Sequence, residues 1–235
     1  MKNLVRQTVQ LGRHTATLGR LAPTGHLGWL RGAIGSIIGI AIAGALTRLL
    51  LGANADALPW LVAPLGASAV LVFAVPASPL AQPWPVIGGD LISAAIGLAA
   101  GHFLGPAWLA TAVAVGSAIA VMSLTRCLHP PGGACALLCA LGASGPDGWG
   151  AAYMLPIIAN VLALCAFGWL YNNLTGHPWP HKAVRPPAPV GLPFIYTHED
   201  LEEVLHEWNE VLDVDVDDLD ALFQALERKV MARRG

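Results

Sequence analysis

Between Gly32 and His181 the chain carries only five charged side chains, Arg48, Asp56, Asp90, Arg126 and Asp147, and this near-absence of charge dictates its solvent. Soluble domains carry about 25% charged residues. Here 12% of the 235 residues are charged and 55% are hydrophobic, so a bilayer is the environment the sequence suits. A net charge of −2 with no basic face excludes nucleic acid as a partner. The expected class is all-α, a polytopic membrane protein.

Six apolar segments can be drawn, over residues 30–51, 59–75, 86–104, 108–128, 131–143 and 151–174. A helix crossing roughly 30 Å of hydrocarbon needs about 20 apolar residues. The first, third, fourth and sixth meet that length. The second and fifth are short and open on Pro and Gly, as half-helices, re-entrant segments or broken helices do. Non-helical backbone is tolerated at membrane depth only where protein or a water-filled cavity satisfies it, so such breaks point to a site.

The two short segments resemble each other. Pro64-Leu65-Gly66-Ala67-Ser68-Ala69-Val70-Leu71 aligns with Pro131-Gly132-Gly133-Ala134-Cys135-Ala136-Leu137-Leu138, and Leu46-Thr47-Arg48 upstream matches Leu124-Thr125-Arg126. Gly35-Ser36 and Gly116-Ser117 fall within the preceding helices. One three-segment unit used twice is the expectation. Six crossings would invert the units and four crossings with two re-entrant segments would leave them parallel; six crossings, an inverted repeat, is the expectation.

Lys2, Arg6, Arg13, Arg20 and Arg31 precede the first span, and Lys182 and Arg185 follow the last. By the positive-inside rule both termini are expected in the cytoplasm, with the protein in the inner (cytoplasmic) membrane. The Arg-rich, acid-poor start also fits a mitochondrial transit peptide. The expected organisation is a basic cytoplasmic segment (1–29), a transmembrane domain (30–175), a Pro-rich linker (176–196) and an acidic amphipathic helical hairpin (197–235). Thr197-His198-Glu199-Asp200 has the form of a capping box, and Leu201, Val204, Leu205, Leu219, Leu222 and Leu226 fall at helical spacing. About 35 residues bury too little to fold alone, so the hairpin is expected to pack on the membrane domain or a second subunit.

A helix N-terminus carries about half a positive charge, so two short helices starting near Pro64 and Pro131 favour a small anion between them. The candidate binding residues are Pro64, Gly66, Ala67 and Ser68 on one side, and His129, Pro130, Pro131, Gly132, Gly133 and Cys135 on the other. Arg48 and Arg126 would add positive charge, or snorkel to the interface. Histidine ordinarily titrates near neutrality, so His129 could couple protons to the anion. Asp90 is expected to cap the third helix, pair with an arginine or relay a proton. Asn160, Asn172 and Asn173 read as interhelical hydrogen-bond groups.

No cofactor, bound metal or enzymatic activity is expected. Cys127, Cys135 and Cys139 beside His129 form no close-spaced ligand motif, though a membrane metal or redox protein is one alternative. A sensor or scaffold acting through the hairpin is another. Small residues throughout the spans make homo-oligomerisation an expectation.

Leu128-His129-Pro130-Pro131-Gly132-Gly133-Ala134, preceded by Arg126, resembles the signature of the HPP family of membrane proteins. Pro64 to Val70, Ser78-Pro79-Leu80-Ala81-Gln82-Pro83 and Val86-Ile87-Gly88-Gly89 resemble its other blocks, in order. Asp90 and Cys135 depart from the pattern, which favours a less acidic or His-like residue and Thr. The resemblance implies a multi-spanning protein. Its plastid and cyanobacterial members are associated with nitrite transport, which makes nitrite the first candidate among small inorganic anions.

Overall fold

The computed structural model describes residues 28–52, 58–146, 148–182, 196–208 and 213–234, and among them every long element is helical and no strand occurs. Helices α1 (Gly28–Leu51), α3 (Pro83–Phe103) and α4 (Ala107–Leu124), with the stretch Ala151–Leu174 whose main part is α6 (Met154–Leu174), are long and apolar enough to cross a membrane. The expected N-terminal segment lies almost wholly outside the described residues, as do residues 183–195 of the expected Pro-rich linker.

Between them stand two short helices, α2 (Leu65–Ala74, 10 residues) and α5 (Pro130–Ser144, 15 residues). At 1.5 Å per residue they reach roughly 15 and 22 Å, short of a bilayer core, so among the described residues four helices rather than the expected six are long enough to cross. Trp29, Trp84 and Trp108 are exposed at the starts of α1, α3 and α4, where interfacial aromatics belong. Ile37, Leu49, Leu50 and Leu124 are exposed as well, an outer surface suited to lipid.

The helices form two groups. α1 packs on α2 and α6, while α3 packs on α4 and most extensively on α5; α3 also meets α6. The α3–α5 contact is a small-residue seam in which Gly89, Ser93, Gly97 and Gly101 recur every fourth residue. A Cβ on Gly101 would lie 2.5 Å from the Ala140 carbonyl, and one on Gly132 2.8 Å from the Gly89 carbonyl. The two backbones therefore touch, as in small-xxx-small membrane pairs.

A ten-residue helix ending inside a membrane domain needs partners for its flanking backbone. Asn160 on α6 accepts from Val62 N–H (3.0 Å) and donates to the Trp60 carbonyl (3.0 Å) and to Thr47 Oγ1 (2.6 Å), fixing the approach to α2. Asn172, also on α6, donates to the Val72 carbonyl (2.9 Å). Arg31 donates to the Phe73 carbonyl (2.7 Å) and to Asn172 Oδ1 (2.8 Å). These side chains hold both ends of α2.

Besides α2, which starts at Leu65 rather than at 59, two boundaries differ from the sequence reading. α3 starts at Pro83 rather than near residue 86, because Pro83 and Pro85 sit in the first turn, where a missing N–H costs nothing. α4 ends at Leu124 rather than 128. Arg126 adopts φ 54°, and Cys127 N–H bonds the Met122 carbonyl (2.8 Å) while Arg126 N–H bonds that of Ser123 (3.2 Å), a Schellman closure with arginine in the usual glycine position.

After α6 the chain folds back instead of spacing outward at once. Trp179 is buried and its Nε1–H donates to the Ala81 carbonyl (3.0 Å). Beyond it lie α7 (His198–Trp208) and α8 (Val216–Arg234). Thr197 and Asp200 form the expected reciprocal cap: Asp200 N–H donates to Thr197 Oγ1 (3.2 Å) and Thr197 N–H to Asp200 Oδ2 (2.7 Å). Ser78 donates to Asp213, and His181 pairs with Asp218 at 2.8 Å, so this C-terminal part meets the loop before α3.

Candidate functional site

His129 is the N-cap position of α5, delivered there by the extended residues that follow the Arg126 turn. Two prolines start the helix at no hydrogen-bond cost. The imidazole is fully buried, and its Nδ1 lies 2.8 Å from the Leu80 carbonyl. A carbonyl only accepts, so Nδ1 carries the hydrogen and Nε2 faces inward.

Nε2 lies 3.0 Å from Ser68 Oγ, one turn into α2. Ser68 Oγ is also 3.0 Å from Asp90 Oδ2, and Asp90 Oδ2 is 3.8 Å from Nε2. On the other carboxylate oxygen, Cys135 Sγ donates to Asp90 Oδ1 at 3.4 Å. All four side chains are at most 2% exposed. One carboxyl group thus joins α2, α3 and the first two turns of α5.

Of the residues proposed from sequence, Ser68, His129, Cys135 and Asp90 come together. Pro64, Pro131 and Gly132 are buried beside them, and Gly132 serves the α3–α5 contact. Gly66, Ala67 and Pro130 are exposed, and a Cβ on Gly66 or Gly133 would meet nothing within 4 Å. Arg48 and Arg126 are exposed and neither joins the buried chain, which fits snorkelling at helix ends.

Two expectations are corrected. Asp90 does not cap α3, because the helix begins at Pro83 and places Asp90 within its interior. Nor does α2 present unpaired donors at its start. The N–H groups of Leu65, Gly66, Ala67 and Ser68 bond the carbonyls of Val62, Ala63 and Pro64 at 3.0–3.2 Å, through a turn that precedes the helix.

Two participants were not singled out in the sequence. The Leu80 carbonyl fixes the His129 ring, and only the Ser78 to Pro83 block hinted at that loop. Ser93 lies one turn beyond Asp90, fully buried, with its Oγ making no hydrogen bond and 2.9 Å from where a Gly132 Cβ would stand. Its four-residue spacing from Gly89 and Gly97 was the available signal. Cys127, Cys135, Cys139 and Cys165 are buried free thiols, and among the described residues no group of three His, Cys, Asp or Glu side chains is placed to hold a metal ion.

The profile of the HPP transmembrane region matches residues 22–180. Two transmembrane proteins of Dictyostelium discoideum are similar to this chain. One is 38% identical over 119 residues, covering 48% of this chain and 41% of the relative; the other is 36% identical over 120 residues, covering 48% and 38%. The matched stretch spans about two-fifths of the length of these curated relatives. No solved structure matches.

Proposed function

The chain belongs to the HPP transmembrane family, and from that membership we propose that it is a multi-pass transporter or channel for a small inorganic anion, with nitrite the first candidate. The observation that carries the reading is the buried Ser68–Asp90–His129 chain, set where the two short helices meet inside a membrane domain. Ionisable side chains are expensive there and mark pathways and proton relays by default. No catalytic role is assigned to them.

The packing supports a repeat of three segments. α1 packs on α2 as α4 packs on α5, and each unit's third helix packs across on the other unit, α6 on α1 and α2, α3 on α4 and α5. In this reading both termini face the cytoplasm at the inner membrane, and the small-residue faces favour a homo-oligomer. The anion passes beside His129, Gly133 and Ser93, with Ser68 as a donor. An ionised carboxylate opposes a unit anion 4 Å away by about 4 kcal/mol at an effective dielectric of about 20, so Asp90 has to be neutral or compensated when the anion is present.

Flux into proteoliposomes with nitrite, nitrate, chloride and formate tests this. Selective nitrite flux that His129→Ala or Gly133→Leu abolishes is the expected result, and absence of flux for all four anions overturns it. A second reading, a sensor acting through the C-terminal helices, is favoured by one observation: Asp213 and Asp218 engage Ser78 and His181 beside the loop that holds His129.

A further inference from the structure

The hydrogens of the buried chain can be counted. His129 Nδ1–H is committed to the Leu80 carbonyl, so in the neutral ring Nε2 is an acceptor. Ser68 has one hydroxyl hydrogen and two neighbours at 3.0 Å, Asp90 Oδ2 and His129 Nε2. If Asp90 is ionised and His129 neutral, both neighbours need that single hydrogen, and one is left unserved in a fully buried site.

One added proton satisfies every group, in two ways. Asp90 can carry it, donating to Ser68 Oγ while the Ser68 hydroxyl donates to Nε2. Alternatively His129 carries it, with Nε2–H donating to Oγ while the hydroxyl donates to Asp90 Oδ2. Passing from the first to the second moves the carboxyl hydrogen to Oγ and the hydroxyl hydrogen to Nε2, leaving carboxylate and imidazolium. The chain is neutral overall in both.

A second proton has a different effect. The carboxylic acid and Nε2–H then both donate to Ser68 Oγ, filling its two lone pairs, and its own hydrogen has no acceptor left in the chain. The net charge becomes +1. A small oxyanion supplies both the missing acceptor and the compensating charge, whereas about 4 Å from an ionised Asp90 with His129 neutral the same anion is disfavoured roughly a thousandfold.

We propose that the Asp90–Ser68–His129 chain binds a monovalent oxyanion together with one proton, the Ser68 hydroxyl turning from its protein partners to the ligand. This rests on the anion-transport reading and adds its coupling ion. Among the described residues, the other titratable groups packed near the chain include the thiols of Cys135 on Asp90 Oδ1, Cys139 further along α5, Cys165 on α6 and Cys127 in the turn after α4, with the phenols of Tyr153 and Tyr171 at the edge of the same apolar cluster. Beyond the Leu80 loop stand Asp213 and the His181–Asp218 pair, which touch Ser78 and His181 rather than the chain.

The full chain in lipid nanodiscs, titrated with sodium nitrite in weak buffer, reports the stoichiometry directly. One proton taken up per nitrite bound is expected, with the apparent Kd rising about tenfold per pH unit where the second proton is lost. Asp90→Asn and His129→Gln each retain uptake at the remaining group. Whatever nitrite binding the double variant retains is weaker, takes up no proton and has a flat pH profile, and Asp218→Asn changes neither readout. Ser68→Ala weakens binding at least about tenfold, as loss of a hydrogen bond to a charged ligand does. Nitrite binding by the unaltered chain without proton uptake overturns the proposal while leaving anion transport standing, as does full uptake in a folded double variant. Failure of all four anions to bind or pass removes both.

Discussion

Ser68 and Cys135 donate to different oxygens of the same carboxylate, Asp90 Oδ2 at 3.0 Å and Oδ1 at 3.4 Å. They occupy matching places in two aligned segments, so equivalent positions of two short helices converge on one acid. Cys135→Ser keeps a donor at Oδ1 and is expected to fold and transport like the original chain. Cys135→Val removes that donor and should cost about 1–2 kcal/mol. Thermal unfolding of the two variants in detergent, side by side, checks the difference.

Gly132 and Gly133 are neighbours with opposite demands. A Cβ at Gly132 would stand 2.8 Å from the Gly89 carbonyl and 2.9 Å from Met122 Sδ, whereas one at Gly133 meets nothing within 4 Å. Gly132→Ala should therefore force α3 and α5 apart and lower stability by about 1–3 kcal/mol. Gly133→Ala should leave it unchanged or raise it by up to about 1 kcal/mol through helix propensity. Equal Tm values for the pair would contradict the seam.

Asn160 imitates a strand of backbone for the residues before α2. Replacing it with Leu leaves Val62 N–H, the Trp60 carbonyl and Thr47 Oγ1 without the partner they have now. A loss of about 2–4 kcal/mol is expected, with early proteolysis between α1 and α2 as its local signature. Asn173 is exposed, and its bonds to the Trp169 and Trp179 carbonyls lie at the rim, so Asn173→Ala should cost less than 1 kcal/mol, or about that.

Arg126 sits at φ 54°, a conformation that costs a non-glycine residue about 1 kcal/mol. Arg126→Gly should raise stability by roughly that amount and leave nitrite flux intact. A folded Arg126→Gly chain that has lost flux would restore the arginine to the anion path.

The C-terminal helices carry their own pH response. Burial, then the hydrogen bond to Asp220, pushes the Tyr196 phenol up to about 12. Its folded value is raised, so the stability it contributes is whole below the ordinary tyrosine value of about 10 and falls as pH climbs toward 12. Hydrogen bonds from the Thr197 backbone and hydroxyl lower the Asp200 carboxyl, so its contribution is present above the ordinary aspartate value and lost in acid. Tyrosinate absorbance compared with Tyr196→Phe, and helix content at low pH compared with Asp200→Asn, read the two ends.

Charge segregation and segment length were enough to identify the four long helices and the two short ones, because hydropathy and the 1.5 Å rise are local properties. The pairing of Ser68 with Cys135 was visible as an alignment. Asp90 was misplaced because Gln82-Pro83-Trp84-Pro85 looks like a loop until the first-turn tolerance for proline is applied. Arg31 and Asn172 holding the end of α2, and the Leu80 carbonyl holding His129, join residues far apart in the chain, and no spacing rule encodes such contacts. Arg126 in a glycine conformation is likewise set by its surroundings rather than by its own preference.

Asn160, Asn172 and Arg31 tie α2 to α6 and α1, while the glycine seam joins α3 to α5. The fault line between the two groups runs through the Ser68 hydroxyl: Ser68 sits on one, and Asp90, His129 and Cys135 sit on the other. Separating the two groups of helices would break both Ser68 bonds and spare the Cys135 bond, so a single hydroxyl carries the polar connection between them at this site.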